Sequence, residues 1–449
     1  MRIEIPYGER RFPISIDETG CDLVLARSRN PAPSRTWEEA VAEALAAPLG
    51  TPPLAAWDLK GKRIAVITDD RTRPTPAYRV LPQILEVLHR AGARDEGITF
   101  ITASGMHDPM SKEELERKLG TEVVARYRCV AHDAGDPEML RFVGISPMGT
   151  HVWMNRFVVE ADVRIGLGRV CPHATHGYEG GYKLLLPGVA GFDSILRNHS
   201  FNFSERSVPG VHRNLSRMEA DNIGRLVGID FLVNVVVNDH SEPIRAFGGA
   251  VELVHEAAIE FGDREVWGAA VGDMADIVIA SHGTGPVPAA GFDAETLRRA
   301  CAVARIGGLV IVPTERDITP LPDGATGETA NDAALDALPN GEFGPALRNL
   351  ALSELLRLHE RRDWPLSRRE TQTRLKAIRG EFYRRRMLLA AAKRRVRFTP
   401  EPQHVLDEAI ASFKEGKPHV VLLPEGRTTL PKIDLYRASV DPFGGHAPG

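Results

Sequence analysis

The chain has 449 residues, and 56 Lys and Arg against 60 Asp and Glu leave a formal net charge of −4. With 43% hydrophobic and 26% charged residues, the composition is that of a folded globular protein and excludes wholesale disorder. Apolar runs stay below the roughly 20 residues of a membrane helix, the first residues do not resemble a signal peptide, and the four cysteines form no C-x-x-C pair. We therefore expect a cytoplasmic protein without membrane or nucleic-acid partners and without a disulfide framework.

Continuous apolar runs alternate with helix-like stretches along most of the chain. The runs predict buried strands at residues 63–68, 98–102, 163–167, 231–237, 277–280, 308–312 and 420–423. Helices are predicted at residues 78–88, at residues 252–267, and from Ser111, where Glu114 completes a capping box. Apolar strands separated by helices indicate an α/β protein with two mostly parallel sheets. We predict an N-terminal domain over residues 1–270 and a C-terminal domain over residues 271–449, with the active site in the cleft between them.

Residues 344–397 form a basic segment that interrupts this pattern. They are predicted to be helical, and they contain the basic runs 384–386 and 393–395. A basic helix could bind phosphate groups. Leucines and interspersed glutamates instead favour a helical insertion that packs on the C-terminal domain and exposes a solvated basic side.

Reactive side chains are concentrated at the ends of predicted strands, where open α/β sheets bind ligands. Residues 68–76 place two carboxylates and two guanidiniums between a strand and a helix. They could bind phosphate, carboxylate or ribose hydroxyls, or they could form a local salt bridge. Residues 104–110 contain His107, whose imidazole could exchange a proton near neutral pH, although a single histidine is more often structural.

Residues 171–188 contain a second concentration of reactive side chains. His173 and His176 could join Cys171 in a zinc site, but Pro172 and several glycines make a regular helix improbable. The glycines could instead let the backbone approach a ligand near Lys183, or they could form a plain surface connection. The Asn-His pair at residues 198–199 follows further along the chain.

In combination, these segments resemble the nickel-dependent lactate racemase family. The resemblance is carried by Asp-Asp-x-Thr-Arg-Pro at 69–74, Gly-x-His-x-Pro-Met at 105–110, Pro-His at 172–173, Gly-Gly-x-Lys at 180–183, Pro-Gly at 187–188 and Asn-His at 198–199. These motifs occur in the order typical of the family.

The resemblance implies a racemase or epimerase that acts on a 2-hydroxy acid by reversible hydride transfer to a nickel-pincer nucleotide. This cofactor is a pyridinium mononucleotide with thioamide and thiocarboxylate groups, so proteins that make and supply it are implied as partners. By position, Lys183 carries the cofactor, His199 binds nickel, and His107 and His173 act as the acid/base pair. Asp70, Thr72, Arg73, Gly180 and Gly181 correspond to cofactor contacts, and Arg73 and His282 to substrate contacts.

One departure from the family bears on the substrate. Lactate-type members tend to have a lysine for the substrate carboxylate in a loop that corresponds to residues 282–291, and this loop contains no lysine. We therefore expect a 2-hydroxy acid other than lactate. A sugar or sugar-acid C2 epimerase with the same cofactor is the alternative, and a zinc hydrolase using Cys171, His173 and His176 is a further one. The C-terminal domain is expected to close over the site and shield it from water.

Overall fold

The computed structural model describes residues 1–433 except for residues 174, 204–206, 208, 285, 288–290, 318–393 and 415. The described residues form two compact units. Asn30–Gly262 forms one, which we call unit A. Met1–Arg29 and the described residues from Asp263 onwards form the other, unit B.

Strands and helices alternate through most of the described residues. The strands are β1 (Arg2–Tyr7), β2 (Arg10–Ser15), β3 (Asp22–Leu25), β4 (Ile64–Asp69), β5 (Ile98–Ala103), β6 (Arg128–Ala131), β7 (Leu140–Ile145), β8 (His151–Asn155), β9 (Val163–Val170), β10 (Pro172–His173), β11 (Gly177–Tyr178), β12 (Phe231–Val237), β13 (Pro243–Gly249), β14 (Gly268–Gly272), β15 (Ala275–Ala280), β16 (Ala304–Pro313), β17 (Arg395–Thr399), β18 (His419–Leu423) and β19 (Leu430–Ile433). The helices are α1 (Trp37–Ala46), α2 (Ala77–Arg90), α3 (Lys112–Leu119), α4 (Thr121–Arg126), α5 (Arg156–Val159), α6 (Phe192–Ser200), α7 (Leu215–Val227), α8 (Val251–Glu265), α9 (Ala294–Val303) and α10 (Pro402–Ala411).

Unit A is built around a six-stranded sheet with the order β13-β12-β9-β4-β5-β6. Strands β12 and β13 pair antiparallel, and the other neighbours pair parallel. Both faces are buried: on β4, Ile64 and Val66 enter one apolar core while Ala65 and Ile67 enter the other. This two-sided burial explains why the parallel strands read as continuous apolar runs.

The carboxyl ends of three neighbouring strands bring the reactive segments of the sequence to one edge of this sheet. Strand β4 leads into the turn at residues 70–76, β5 into residues 104–110, and β9 into residues 171–180. Since β9, β4 and β5 are adjacent and parallel, their ends share one edge. The structure therefore brings the three reactive segments to one sheet edge of unit A, and ligand binding there stays a prediction.

Unit B contains a five-stranded parallel sheet with the order β17-β16-β15-β18-β3. The predicted α/β class with mostly parallel sheets flanked by helices is confirmed. The domain assignment differs in its details from the prediction, because residues 1–29 belong to unit B and the division falls at Asp263. The difference arises from β3, which lies near the start of the chain but pairs with β18, near its end, at the edge of the unit B sheet.

The predicted helical insertion at residues 344–397 lies mostly outside the described residues. Its last residues are described, and there the prediction was wrong: residues 395–399 form β17, which pairs with β16. In β17, Val396 and Phe398 alternate with arginines, so a strand places both apolar side chains against the core of unit B. Among the described residues, no helix is long and apolar enough to cross a membrane.

Candidate active site

A buried ion pair holds the turn that follows β4. Lys118 Nζ, on α3, lies 2.5 Å from Asp69 Oδ1 and donates to the backbone carbonyls of Arg73 at 3.0 Å and Thr75 at 2.8 Å. The Thr75 hydroxyl donates to Asp69 Oδ2 at 2.6 Å. The three bonds from Lys118 use the full donor capacity of its ammonium group. Asp69 is therefore a structural member of the Asp-Asp pair, and Asp70 is the member that faces the site.

Lys118→Met should destabilise the protein, because it leaves the Asp69 carboxylate buried without its cation. Removal of one partner of a buried ion pair costs about 3–5 kcal/mol of unfolding free energy. Lys112→Met is a matched control, since Lys112 lies on the same helix with its side chain 75% exposed, and it should leave stability unchanged. Urea unfolding measures both variants, and equal stability of the two would contradict the structural role of Lys118.

Asp70 and His107 form a hydrogen-bonded pair across the ends of β4 and β5. His107 Nδ1 lies 2.7 Å from Asp70 Oδ2, and Asp70 Oδ1 accepts from the Thr72 amide at 3.0 Å and its hydroxyl at 2.5 Å. Burial acts to raise the pKa of Asp70, but the hydrogen bonds from His107 and Thr72 outweigh it, so the pKa is lowered. Since an ionised carboxylate can only accept, Nδ1 of His107 carries a hydrogen, and in the neutral ring Nε2 carries the lone pair.

Glu179 is a buried carboxylate shared by two arginines. Its Oε1 lies 2.7 Å from Arg73 Nε, its Oε2 lies 2.8 Å from Arg169 Nε, and the Cys171 thiol donates to Oε2 at 3.3 Å. Burial acts to raise the pKa of Glu179, but Arg73, Arg169 and Lys183 outweigh it and the pKa is lowered. Glu179 thus connects the turn after β4 with the segment after β9, and the predicted cofactor or substrate contacts of Arg73 stay predictions.

Lys183 lies in a short 3-10 turn, Gly181–Leu184, between β11 and α6. Its side chain is partly buried, and its amine makes no hydrogen bond to any described residue. Desolvation by burial lowers the pKa of Lys183 to about 7, with Glu179 opposing and Arg73 and Arg217 reinforcing the shift. A lysine with this pKa presents a large fraction of neutral, nucleophilic amine at neutral pH.

The two glycines before Lys183 are required by contacts within the protein. Gly180 has φ +79°, and a Cβ there would lie 2.6 Å from Asn234 Oδ1. Gly181 has φ +61°, and a Cβ there would lie 3.0 Å from the His255 ring. Positive φ and close approach both exclude larger residues. The predicted contacts of these glycines with a cofactor stay predictions.

Three histidines lie edge to face beside this turn. The ring centroids of His173 and His176 are 5.4 Å apart, and those of His176 and His199 are 6.3 Å apart. His176 is buried, with Nε2 3.0 Å from Asn198 Oδ1 and Nδ1 3.0 Å from the Thr175 hydroxyl oxygen. Both ring nitrogens of His176 therefore have partners, and this histidine supports the two that flank it.

His173 is held by the backbone of its own turn. Its Nδ1 accepts from the backbone amides of Thr175 at 3.2 Å and His176 at 3.3 Å. Burial lowers the pKa of His173 well below its ordinary value, with Lys183 adding to the effect. In the neutral ring, Nε2 must then carry the hydrogen, because Nδ1 is an acceptor.

His199 has the hydrogen-bond pattern of a metal ligand. Its Nδ1 lies 2.9 Å from the carbonyl oxygen of Ile195, one turn earlier in α6. Donation from Nδ1 fixes the ring orientation and leaves the lone pair on Nε2, as is usual for metal-bound histidine. Among the described residues, no group of three or more His, Cys, Asp and Glu side chains could hold a metal ion. Cys171, His173 and His176 thus give the zinc alternative no geometric support, whereas a cofactor that brings its own donor atoms needs few protein ligands.

The structure brings most of the predicted site residues together in unit A. His282 is the exception, because it belongs to unit B, where it is buried and its ring packs edge to face on Tyr7 with a centroid distance of 5.1 Å. Sequence reasoning missed the side chains that support the site, namely Lys118, Arg169, Arg217, Asn234 and His255. Asn234 carried a sequence signal as a polar residue in an otherwise apolar strand, whereas Lys118 lies in a highly charged helix and carried none.

Comparisons with known proteins agree with this architecture. Residues 7–210 match the family model described as the lactate racemase N-terminal domain. The lactate racemase of Thermoanaerobacterium thermosaccharolyticum is 29% identical over 319 residues, which are 70% of this chain and 74% of that protein. The lactate racemase of Lactiplantibacillus plantarum is 28% identical over 316 residues, or 69% of this chain and 74% of that protein. The structure of the Thermoanaerobacterium thermosaccharolyticum lactate racemase apoprotein matches 96% of this chain and 100% of its own with a TM-score of 0.66, at 24% identity.

The structural match defines the class first: the chain is an α/β protein with the fold of the lactate racemase apoprotein. Beyond the fold, the chain is similar to lactate racemases through the domain match at residues 7–210 and the two relatives at 29% and 28% identity. Both curated relatives are lactate racemases, so the expectation of a substrate other than lactate has no support from them.

Proposed function

We propose that this chain is a racemase or epimerase of a 2-hydroxy acid and that it carries a nickel-pincer nucleotide on Lys183. The observation that carries the proposal is the setting of Lys183, a partly buried amine with a pKa of about 7 and no hydrogen bond to the described residues. It lies in the same unit as the His107–Asp70 pair and the three edge-to-face histidines. Lactate is the first substrate to test, because both curated relatives are lactate racemases.

The reaction explains why these residues belong in one site. When bound, the nucleotide supplies an electron-poor pyridinium that can accept the hydrogen on the hydroxyl-bearing carbon as hydride. His107 accepts the hydroxyl proton at Nε2, because its Nδ1 hydrogen is committed to Asp70. The Asp70 carboxylate then stabilises the imidazolium that forms, in the same way that an aspartate supports a catalytic histidine in other enzymes.

His173 is suited to donating a hydrogen bond to the substrate rather than to accepting its proton. With Nδ1 accepting from two backbone amides, its Nε2–H is a fixed hydrogen-bond donor. Such a donor would stabilise the substrate oxygen through a hydrogen bond, and the proton that His107 accepted would return to that oxygen from His107 Nε2. The two histidines therefore start in opposite tautomers, with His107 as base and His173 as donor.

The remaining site residues are assigned to the cofactor or to the substrate carboxylate. Lys183 would be the attachment point, and His199, whose Nδ1 bonds to the Ile195 carbonyl, would be the protein ligand for nickel. Thr72 and Arg73, held by Asp70 and Glu179, are placed to hold polar groups of the nucleotide or the substrate carboxylate. A sugar acid is the second candidate substrate, since the loop at residues 282–291 contains no lysine for a small carboxylate.

The test is to produce the protein in cells with and without the proteins that make the cofactor. With them, we expect a nucleotide-sized mass on the Lys183 peptide, nickel stoichiometric with the chain, and conversion of D-lactate to L-lactate or of one sugar acid to its C2 epimer. Protein from cells without them should be unmodified and inactive. An unmodified Lys183 without nickel in cofactor-producing cells would overturn the proposal.

A further inference from the structure

Arg217 is a fully buried arginine that binds the backbone of the segment before Lys183. It lies in α7 with 1% of its surface exposed. Its Nε donates to the carbonyl of His176 at 3.4 Å, its Nη1 to that of Gly180 at 3.2 Å, and its Nη2 to that of Tyr178. One planar guanidinium thus contacts three carbonyls within five residues of chain, a geometry that an ammonium group cannot reproduce.

These contacts reach the backbone of Lys183 directly. The Gly180 carbonyl that accepts from Arg217 also accepts from the Lys183 amide at 3.3 Å. Helix α7 packs against the same turn at a second point, because a Cβ on Gly224 would lie 2.1 Å from Cγ of Tyr182. The helix and the turn are therefore joined both by hydrogen bonds and by close packing.

We propose that Arg217 is a positioning residue that ties residues 176–180 to α7 and so fixes Lys183 in the orientation needed for cofactor attachment. We call the hydrogen bonds from Arg217 to the backbone of residues 176–180 the tether. The inference rests on the proposed function only where it concerns cofactor attachment, since the tether is a property of the protein without cofactor. Arg217 also adds positive charge beside Lys183. The other titratable groups that act on Lys183 or are acted on by it are Glu179, Arg73, Cys171, His173, His176 and His255.

Two substitutions separate the tether from the charge. Arg217→Lys keeps a cation but loses the three-carbonyl contact, whereas Arg217→Met loses both. Arg225→Met is the matched control, since Arg225 lies on the same helix, is 57% exposed and pairs with Glu252 at 3.3 Å. All are studied as full-length protein without cofactor, after circular dichroism has established that they are folded.

The first readout is acetylation of Lys183 by acetic anhydride across a pH series, followed by peptide mass spectrometry. In the parent protein, the labelling midpoint should lie near the Lys183 pKa of about 7. Arg217→Met should move it to about pH 8 or higher, because a nearby cation is lost and water gains access. Arg217→Lys should move it less. A role confined to folding stability would leave this midpoint unchanged.

The second readout is hydrogen exchange of the amides in residues 176–183. Both Arg217 variants should exchange there roughly tenfold faster than the parent, while Arg225→Met should not. If Arg217→Met does not fold, the exchange rates of Arg217→Lys decide the question. Parent-like exchange in Arg217→Lys, or a folded Arg217→Met with the parent labelling midpoint, would overturn the tether. Neither readout uses cofactor. A result that overturns the tether therefore leaves cofactor attachment to Lys183 open, and an absent cofactor on Lys183 leaves the tether open.

Discussion

Replacing Lys183 with alanine should abolish both cofactor attachment and racemase activity. In the proposed function the Lys183 amine is the bond-forming group, and Lys118 cannot replace it because all its protons are used within the turn after β4. Lys183→Arg should be equally inactive, since a guanidinium keeps the charge but stays protonated and does not acylate. Mass spectrometry of the tryptic peptides and a chiral lactate assay measure the two losses.

The control for this experiment is Lys112→Ala, which removes an exposed lysine and should retain cofactor and activity. The Lys183 variants should stay folded, because the amine makes no hydrogen bond to the described residues. Activity in a folded Lys183→Ala protein would refute the covalent assignment. Activity lost together with the fold would instead call for Lys183→Met, which fills the same space without an amine.

The lowered pKa of Lys183 predicts that the unfolding free energy of the protein depends on pH. Its pKa is about 7 in the folded protein because burial disfavours the charged form, whereas an ordinary lysine titrates near pH 10.4. Between these values the folded protein binds fewer protons than the unfolded chain, so the Lys183 contribution to the unfolding free energy rises with pH. Lys183→Met should remove this contribution and be the more stable protein near neutral pH, which urea unfolding at several pH values can measure.

The sequence was sufficient to predict the inner strands of the two main sheets, whereas the edge strands β3, β6, β13 and β17 were not predicted. Apolar runs such as residues 231–237 have no polar alternation, which is typical of strands buried on both faces, and that strand is found over the same residues. The Ser111 capping box is also present, with reciprocal hydrogen bonds to Glu114. In both cases the information is local, because periodicity or a three-residue spacing determines the structure.

The supporting residues could not be predicted, because their roles depend on contacts distant in sequence. Lys118 lies in a helix whose sequence, Lys-Glu-Glu-Leu-Glu-Arg-Lys-Leu, predicts a solvated charged face, yet its ammonium is buried against Asp69, 49 residues earlier. Arg217 likewise binds carbonyls 37 to 41 residues earlier in the chain. A single sequence contains no signal that pairs such residues. The position of His282 in unit B depends on the fold in the same way.

Removal of the His107 imidazole should produce the second large loss of activity. With Nδ1 bound to Asp70, Nε2 of His107 is the atom that accepts the substrate hydroxyl proton in the proposed reaction. Loss of a general base lowers kcat by roughly 10²–10⁴-fold. We therefore expect His107→Ala to keep its cofactor and fold but to turn over slowly, as measured by the chiral assay on nickel-loaded protein.

Asp70→Asn tests the tautomer behind this prediction. The Thr72 amide and hydroxyl would keep Asn Oδ1 as their acceptor, so the Asn NH₂ would face His107 Nδ1 and donate to it. The hydrogen of the imidazole would then move to Nε2, which could no longer accept a proton, and kcat should fall although His107 is still present. ¹⁵N chemical shifts of the ring report the tautomer directly.

The matched control is a second histidine–carboxylate pair in unit A, outside the site. His89 Nε2 lies 2.9 Å from Asp95 Oδ1, so His89→Ala removes a similar interaction without touching the reactive edge of the sheet. It should leave kcat unchanged. Full activity in His107→Ala would remove this residue from the mechanism, and a slow Asp70→Asn with the parent tautomer would assign Asp70 to the turn alone. A slow His107→Ala together with a changed tautomer in Asp70→Asn would establish the pair as the base of the proposed reaction.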